Sequence, residues 1–298
     1  MAAQTQEVEV EGRRLRLSNL GKTLYPDGFT KAQVIDYYIR AAPALLRHIS
    51  DRPLTLKRYP NGTASGHFFE KNCPSHRPPW VRTVEVGGRG GTIRYCSADD
   101  LATLVWLANL AAIELHPLLA RNADVGAPTA LVFDLDPGPP ADIVACCQVA
   151  VLLRTQLSAD GLQAFPKTSG SKGLQLYVPL NTPHTYDQTK PYAHDLARRM
   201  ERQYPELVVE KMDKSIRASK VLIDWSQNHP TKTTVAAYSL RAMPSPTVSA
   251  PVTWDEVEAV VRSGDAASLQ FEAPAVLERL ERLGDLFEPV ATMRQKLG

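Results

Sequence analysis

The stretch LVFDLDPG carries Asp134 and Asp136 at the end of an apolar run. In a strand, residues i and i+2 point to one face, so the two carboxylates project together while Leu135 turns away. Two such anions repel, and burial sharpens the repulsion unless a proton or a cation sits with them. Oxygen ligands of this kind suit a hard divalent ion, Mg2+ or Mn2+. Taken alone, the pair reads equally well as a solvated strand end. A second apolar run, VLIDWSQN, also ends in an aspartate, Asp224. If the two strands are neighbours, three carboxylates meet at one rim and form the ligand set of a two-ion site for displacement at phosphorus.

Between the acidic strands lies TSGSKGLQLY. Its Ser169, Gly170, Ser171 and Gly173 let backbone N–H groups turn inward, and Lys172 can join them around phosphate oxygens. The spacing is not that of a Walker loop. Alone it is a hairpin loop; between two carboxylate strands it is a phosphate grip. YSLRA sets Arg241 after a strand, and arginine suits a fixed hold on phosphate.

These side chains need a mixed scaffold. Of the 298 residues, 44% are hydrophobic and 22% charged, the balance of an ordinary globular chain with a sizeable core. No apolar run approaches the roughly eighteen residues of a membrane span, and the N-terminus lacks the apolar core of a leader, so a cytoplasmic chain is expected. The net charge of +2 neither demands nor excludes nucleic acid. VEVEGRRLRL alternates as a strand pair. TKAQVIDYYIRAAPALLRHI is a helix capped by Thr30, with Val34, Ile35, Tyr38, Ile39, Ala42, Leu45, Leu46 and Ile49 on one face. PLTLKRYPNG is a strand ending in a turn, and GGRGGTIRYC a loop entering a strand. SADDLATLVWLANLAAIELHP reads as one helix, from Ser97 to the residue before Pro117. ADIVACCQVAVLLRTQLSADG is a helix ending at Gly161, and TTVAAYSLRA is expected to continue the VLIDWSQN strand after a turn. CPSH puts Cys73 near His76, half a zinc site at best, and disulfides are not expected in a reducing compartment. The order of strands and helices argues α/β or α+β.

Together, LVFDLDPG, TSGSKGLQLY and VLIDWSQN resemble the polymerase domain of bacterial DNA ligase D, of the archaeo-eukaryotic primase superfamily. LGKTLYP, TKAQVIDYY, LKRYPNG, HFFEKN, IELHP, YSLRA and TVSAPVTW extend the resemblance over nearly the whole chain. It implies a primase-like catalytic core with an RRM-like central sheet, packed on an N-terminal mixed α/β module. The chain is then a single domain over 1–298, with modules at about 1–125 and 126–298. The implied activity is template-directed polymerisation that fills gaps and extends ends with NTPs or dNTPs in non-homologous end joining. The resemblance implies two Mn2+ or Mg2+ ions on Asp134, Asp136 and Asp224, and a triphosphate grip of Ser169, Lys172 and Arg241. Lys57 and His116 become nucleotide contacts, Phe68 and Phe69 a base platform, and Lys22 and Lys31 a pocket for the downstream 5′-phosphate. Implied partners are DNA ends or gapped DNA, a nucleotide, a Ku-type end-binding protein and a ligase, for a monomer near the nucleoid.

One position departs from the family pattern. The family's loop usually reads SxxKGLH, and this chain has Gln175 for the histidine. A neutral amide brings less to a triphosphate than an imidazolium, a loss on the order of 1–2 kcal/mol. The ligase lysine motif KxDG is absent. Two rivals remain. A haloacid-dehalogenase-like phosphatase also uses DxD, but Pro137 separates Asp136 from Gly138. A degenerate module that binds ends without catalysis would not need three clustered carboxylates.

Overall fold

The computed structural model describes residues 5–88 and 90–298. Residues 1–4, part of the stretch read above for a leader, and Arg89 of GGRGG lie outside it. The described chain packs into two compact units, one of residues 5–118, Val235–Val248 and Glu272–Gly284, the other of Leu119–Thr234, Ser249–Phe271 and Asp285–Gly298.

The first unit opens with the hairpin β1 (Thr5–Val10) and β2 (Arg13–Ser18). Helix α1 (Lys31–Ile49) follows, started by a capping box between Thr30 and Gln33. Its expected apolar face is buried at Val34, Ile35, Tyr38, Ala42, Leu45 and Ile49, whereas Ile39 is exposed. The sheet comprises β3 (Leu54–Arg58), β4 (Phe68–Glu70), β5 (Thr83–Gly88), β6 (Gly91–Cys96) and β7 (Ala112–Pro117). Strand β3 pairs antiparallel with β7 over its length, with β4 over Leu56–Arg58, and with β6 at Leu54.

The long helix expected from Ser97 divides. Helix α2 spans only Leu101–Asn109, with Asp100 rather than Ser97 as N-cap. The chain then reverses through Ala111 at φ 57° and leaves as β7. A continuous apolar run fits a buried strand as well as a helix, and the open edge of β3 decides for the strand. TTVAAYSLRA also departs from expectation. It forms no strand but runs beside β7 in the first unit, where Ala236 N–H donates to Leu115 C=O at 2.9 Å and Leu115 N–H to Ser239 Oγ at 3.0 Å. The cysteine expectation is overturned too: Cys73 and Cys96 form a disulfide with a Cα–Cα separation of 4.9 Å. The bond from Cys73 N–H to Arg94 C=O draws that loop against β6, and the Cys73 sulfur is then no zinc ligand.

The second unit carries the hairpin β8 (Ala120–Arg121) and β9 (Asp124–Pro128), then β10 (Ala130–Pro137), α3 (Ile143–Ala159), β11 (Phe165–Thr168), β12 (Leu174–Pro179), α4 (Tyr186–Gln203), β13 (Val208–Val209) and β14 (Val221–Asp224). The sheet order is β11–β12–β10–β14–β13, antiparallel except for β13 and β14. Alternation sorts its two faces. Leu131, Phe133, Leu135, Leu174, Leu176, Val178, Val221 and Ile223 join α3 and α4 in one apolar core. The polar residues face the other way. Among the described residues, no helix is long and apolar enough to cross a membrane.

Candidate active site

Strand register builds the second unit's polar row. Asp134 is the direct partner of Asp224 on β14 and of Gln175 on β12, and Gln175 is the partner of Lys167 on β11. Directly opposed residues of antiparallel strands project to one face with Cβ atoms roughly 5 Å apart. Lys167, Gln175, Asp134 and Asp224 therefore line up across four strands, with Asp136 one pleat further along β10. Burial, then Asp224 and Asp136, pushes the Asp134 carboxyl up to about 6, against the Gln175 bond and the charge of Lys167.

Each carboxylate has partners of its own. Gln175 Nε2 donates to Asp134 Oδ1 at 3.1 Å. Asp224 accepts from Ser226 N–H at 2.9 Å and from Gln227 Nε2 at 2.7 Å, which folds it into the turn that follows its strand. Asp136 lies 3.4 Å from Lys172 Nζ and 3.5 Å from Arg217 Nη1. Among the described residues, no three His, Cys, Asp or Glu side chains are gathered closely enough to ligate one ion as they stand. The donor chemistry nevertheless fits a divalent cation: three carboxylates from two paired strands share one face, and rotation of Asp136 away from its cationic partners and of Asp224 away from its neutral hydrogen-bond donors would turn them to it.

Two glycines fix the rims. A Cβ on Gly173 would meet Leu135 C=O at 2.3 Å, so only glycine lets the 169–173 loop lie against β10. A Cβ on Gly138 would meet Arg217 C=O at 1.9 Å, so glycine likewise admits the segment carrying Arg217. Ser169 Oγ accepts from Ser171 N–H at 3.2 Å and from Gly173 N–H at 3.0 Å, which shapes the loop and leaves Lys172 exposed at its tip.

The first unit gathers a cationic cluster around a residue that sequence reading missed. Glu114, almost fully buried, is the register partner of Lys57 and lies 3.3 Å from its ammonium. Its other oxygen is 2.9 Å from His116 Nε2 and 3.4 Å from Arg241 Nε. Tyr59 OH at 3.4 Å and Ala242 N–H at 3.2 Å also donate to it. Burial alone would raise the Glu114 carboxyl, but the His116 bond, Arg241 and Lys57 together hold it well below the usual carboxylate range. Burial keeps His116 below its ordinary value, although Glu114 opposes this. Lys57, His116 and Arg241 are thus brought together.

The two phenylalanines part company. Phe69, 56% exposed, is the partner of Lys57 across β3 and β4 and meets His116 edge-on at 6.2 Å. Phe68 turns to the other face, where Arg58 lies over its ring. Lys22 and Lys31 meet at the start of α1, where Lys31 N–H donates to Lys22 C=O at 2.8 Å. Lys31 Nζ donates to Ser18 C=O at 2.7 Å, and Lys22 Nζ to Asn61 Oδ1 at 3.3 Å. Burial, then Lys22 and Arg58, lowers Lys31 to about 8. Two crowded cations at a helix N-terminus are an anion site in outline.

The model of the family "LigD, primase-polymerase domain" matches residues 30–287. The multifunctional non-homologous end joining protein LigD of Mycolicibacterium smegmatis is 42% identical over 280 residues, 93% of this chain and 36% of that protein. The LigD non-homologous end joining DNA repair protein of Mycobacterium tuberculosis H37Rv is 43% identical over 285 residues, 93% of this chain and 37% of that protein. The chain thus spans little more than a third of the length of these curated relatives. The solved polymerase domain of Mycobacterium tuberculosis ligase D, in complex with DNA, matches with a TM-score of 0.89 at 42% identity, covering 95% of this chain and 99% of that one.

Proposed function

This chain belongs to the LigD primase-polymerase domain family, and on that premise we propose that it adds nucleotides to a primer 3′-hydroxyl on gapped or broken DNA in non-homologous end joining. The observation that carries the reading is the register of Asp134 against Asp224, which gives one sheet face a carboxylate set matched to divalent ions. Asp134, Asp136 and Asp224 would hold Mn2+ or Mg2+, and ions so held would ease ionisation of the primer hydroxyl and offset charge on the departing pyrophosphate. Positioning and charge stabilisation carry most of such a reaction.

The remaining groups take roles that their chemistry allows. Lys172 and the N–H groups of the 169–173 loop neutralise phosphate oxygens, as do Lys57 and Arg241, while His116 offers a ring nitrogen for a hydrogen bond; Glu114 fixes the geometry of all three. Phe69 offers an exposed ring to a base, a contact indifferent to base identity. Lys22 and Lys31 bind the 5′-phosphate at the far edge of a gap. A Ku-type protein and a ligase are the partners this role calls for.

The test is extension of a primed, gapped duplex bearing a downstream 5′-phosphate, with Mn2+ or Mg2+ and ribo- or deoxynucleotides. Addition of templated nucleotides supports the reading. A protein that shifts the duplex on a gel and adds nothing under any of these conditions is an end-binding module instead.

A further inference from the structure

Strand β14 ends at Asp224, opposite Asp134, and the residues of β10 before Asp134 have no partner on that strand. Val132 lies two residues before Asp134, so its N–H and C=O open to the same side as those of Asp134. Both are buried and need partners. The fully buried side chain of Asn228 supplies them. Val132 N–H donates to Asn228 Oδ1 at 2.9 Å, and Asn228 Nδ2 donates to Val132 C=O at 2.7 Å. The same Nδ2 donates to Trp225 C=O at 2.9 Å. One amide thus continues the ladder where the backbone has left it and closes the turn by which it left. Its carbonyl and both of its N–H groups are engaged.

We propose that Asn228 is a positioning residue for the divalent-ion site: it ties the turn that aims Asp224 to the strand that carries Asp134 and Asp136. The inference rests on the reading of the trio as the ion site. The Asp224 carboxylate belongs to that turn, because it accepts from Ser226 N–H and Gln227 Nε2. Register sets Asp224 opposite Asp134 but leaves the course of the chain beyond it open. On its outer side the turn is braced by Trp225, whose indole N–H donates to Glu210 C=O at 3.2 Å and whose ring stacks on His194 at 3.7 Å. Those contacts lead to α4 and to the segment after β13. Asn228 leads to β10 itself, and so governs the spacing within the trio. Asp224 can rotate about its own side-chain bonds to meet an ion; Asn228 fixes the backbone from which it rotates. Groups that orient a metal ligand in this way contribute roughly 10–100-fold in metal affinity.

Binding of Mn2+ alone, followed by the electron paramagnetic resonance of the free ion, tests this without turnover. Asn228→Ala is expected to bind Mn2+ about tenfold more weakly than the wild type. Asn228→Ser leaves room for a water at Val132 and guards against an alanine variant that does not fold; its affinity should fall in the same direction. Either variant, folded and binding Mn2+ as tightly as the wild type, overturns the proposal. Asn181→Ala is the control for general loosening. It removes a like clamp, two bonds from an asparagine amide to the carbonyls of Val290 and Met293 at 3.1 and 2.7 Å, beyond the end of β12 remote from Asp134. It should lower Tm yet keep Mn2+ affinity within about twofold, since it shares no partner with the trio. An equal loss of affinity in Asn181→Ala overturns the proposal as well. Asp224→Asn tests the underlying reading separately. If that variant binds Mn2+ like the wild type, the trio is not the ion site and the proposal falls with it. If it loses Mn2+ while the Asn228 variants keep it, the proposal alone falls.

Discussion

The Glu114 carboxylate lies 3.3 Å from the Lys57 ammonium on the neighbouring strand, and the same side chain holds His116 and Arg241. One buried anion therefore sets the positions of three phosphate-binding candidates. Removing it would crowd the Lys57 ammonium and the Arg241 guanidinium together without the anion now between them, the costly half of a broken buried ion pair. Glu114→Gln is expected to cost about 3 kcal/mol, read as a fall in Tm of roughly 6–12 °C. It should also raise KM for the nucleotide more than it lowers kcat, because the cations would lose their set geometry while the carboxylate trio stays intact. An unchanged Tm, with KM also unchanged, would show that the cations are held by something else.

Asp136 is the member of the trio whose recorded charge partners are Lys172 and Arg217. Asp136→Ala is expected to abolish nucleotide addition to a gapped duplex, a loss of at least about a thousandfold, well beyond one lost hydrogen bond. DNA affinity should hold or rise slightly, since a negative charge leaves the face proposed to meet phosphate. Fluorescence anisotropy of a labelled duplex, run beside the extension assay, checks both. Lost binding in a folded variant would mean that Asp136 supports the DNA surface and not the chemistry.

Lys31 gives the proposed phosphate pocket a pH limit. Its folded-state value near 8 lies below that of an ordinary lysine, because burial and the neighbouring Lys22 and Arg58 disfavour the charged form. The charge is thus present at pH 7 and is lost as pH rises through about 8. The affinity advantage of a 5′-phosphorylated gap over a 5′-hydroxyl gap is expected to shrink roughly tenfold between pH 7 and pH 9. Lys31→Arg, which stays charged throughout, should keep the advantage flat, and the double replacement Lys22→Ala, Lys31→Ala should remove it at every pH. An advantage flat in the wild type would take Lys31 out of the pocket.

The trio and the glycine-rich loop were legible in the sequence because a strand has a strict period of two. Apolar runs ending in aspartate could only present their carboxylates at a strand end, and the sheet register then paired Asp134 with Asp224. Glu114 and Lys167 were not legible, for a related reason. IELHP sits in a run of apolar residues that fits a helix, and only the open edge of β3 makes it a strand with Glu114 and His116 on one face. Lys167 reads as an ordinary lysine before a loop, because burial belongs to the folded sheet and not to the residue. Sequence also grouped Phe68 with Phe69, although strand alternation sends their rings to opposite faces.

Gln175 is where this chain departs from its family's motif, and its geometry makes the departure testable. Its Nε2 is committed to Asp134 Oδ1, while its Oε1 is buried with no hydrogen-bond partner. Turning the amide over would set that oxygen against a carboxylate, so the orientation is fixed. A buried acceptor without a donor costs about 1–3 kcal/mol. A histidine could keep an N–H on Asp134, would carry no orphan carbonyl and, when protonated, would add positive charge beside the triphosphate. Gln175→His is therefore expected to raise the single-turnover incorporation rate by roughly tenfold, the worth of exchanging a neutral for a charged hydrogen bond. The gain should be larger at pH 6.5 than at pH 8.5, because only the imidazolium supplies the charge. A uniform gain across that range would credit relief of the orphan acceptor. No gain, or a loss, would mean that the amide bond to Asp134 is what this position contributes.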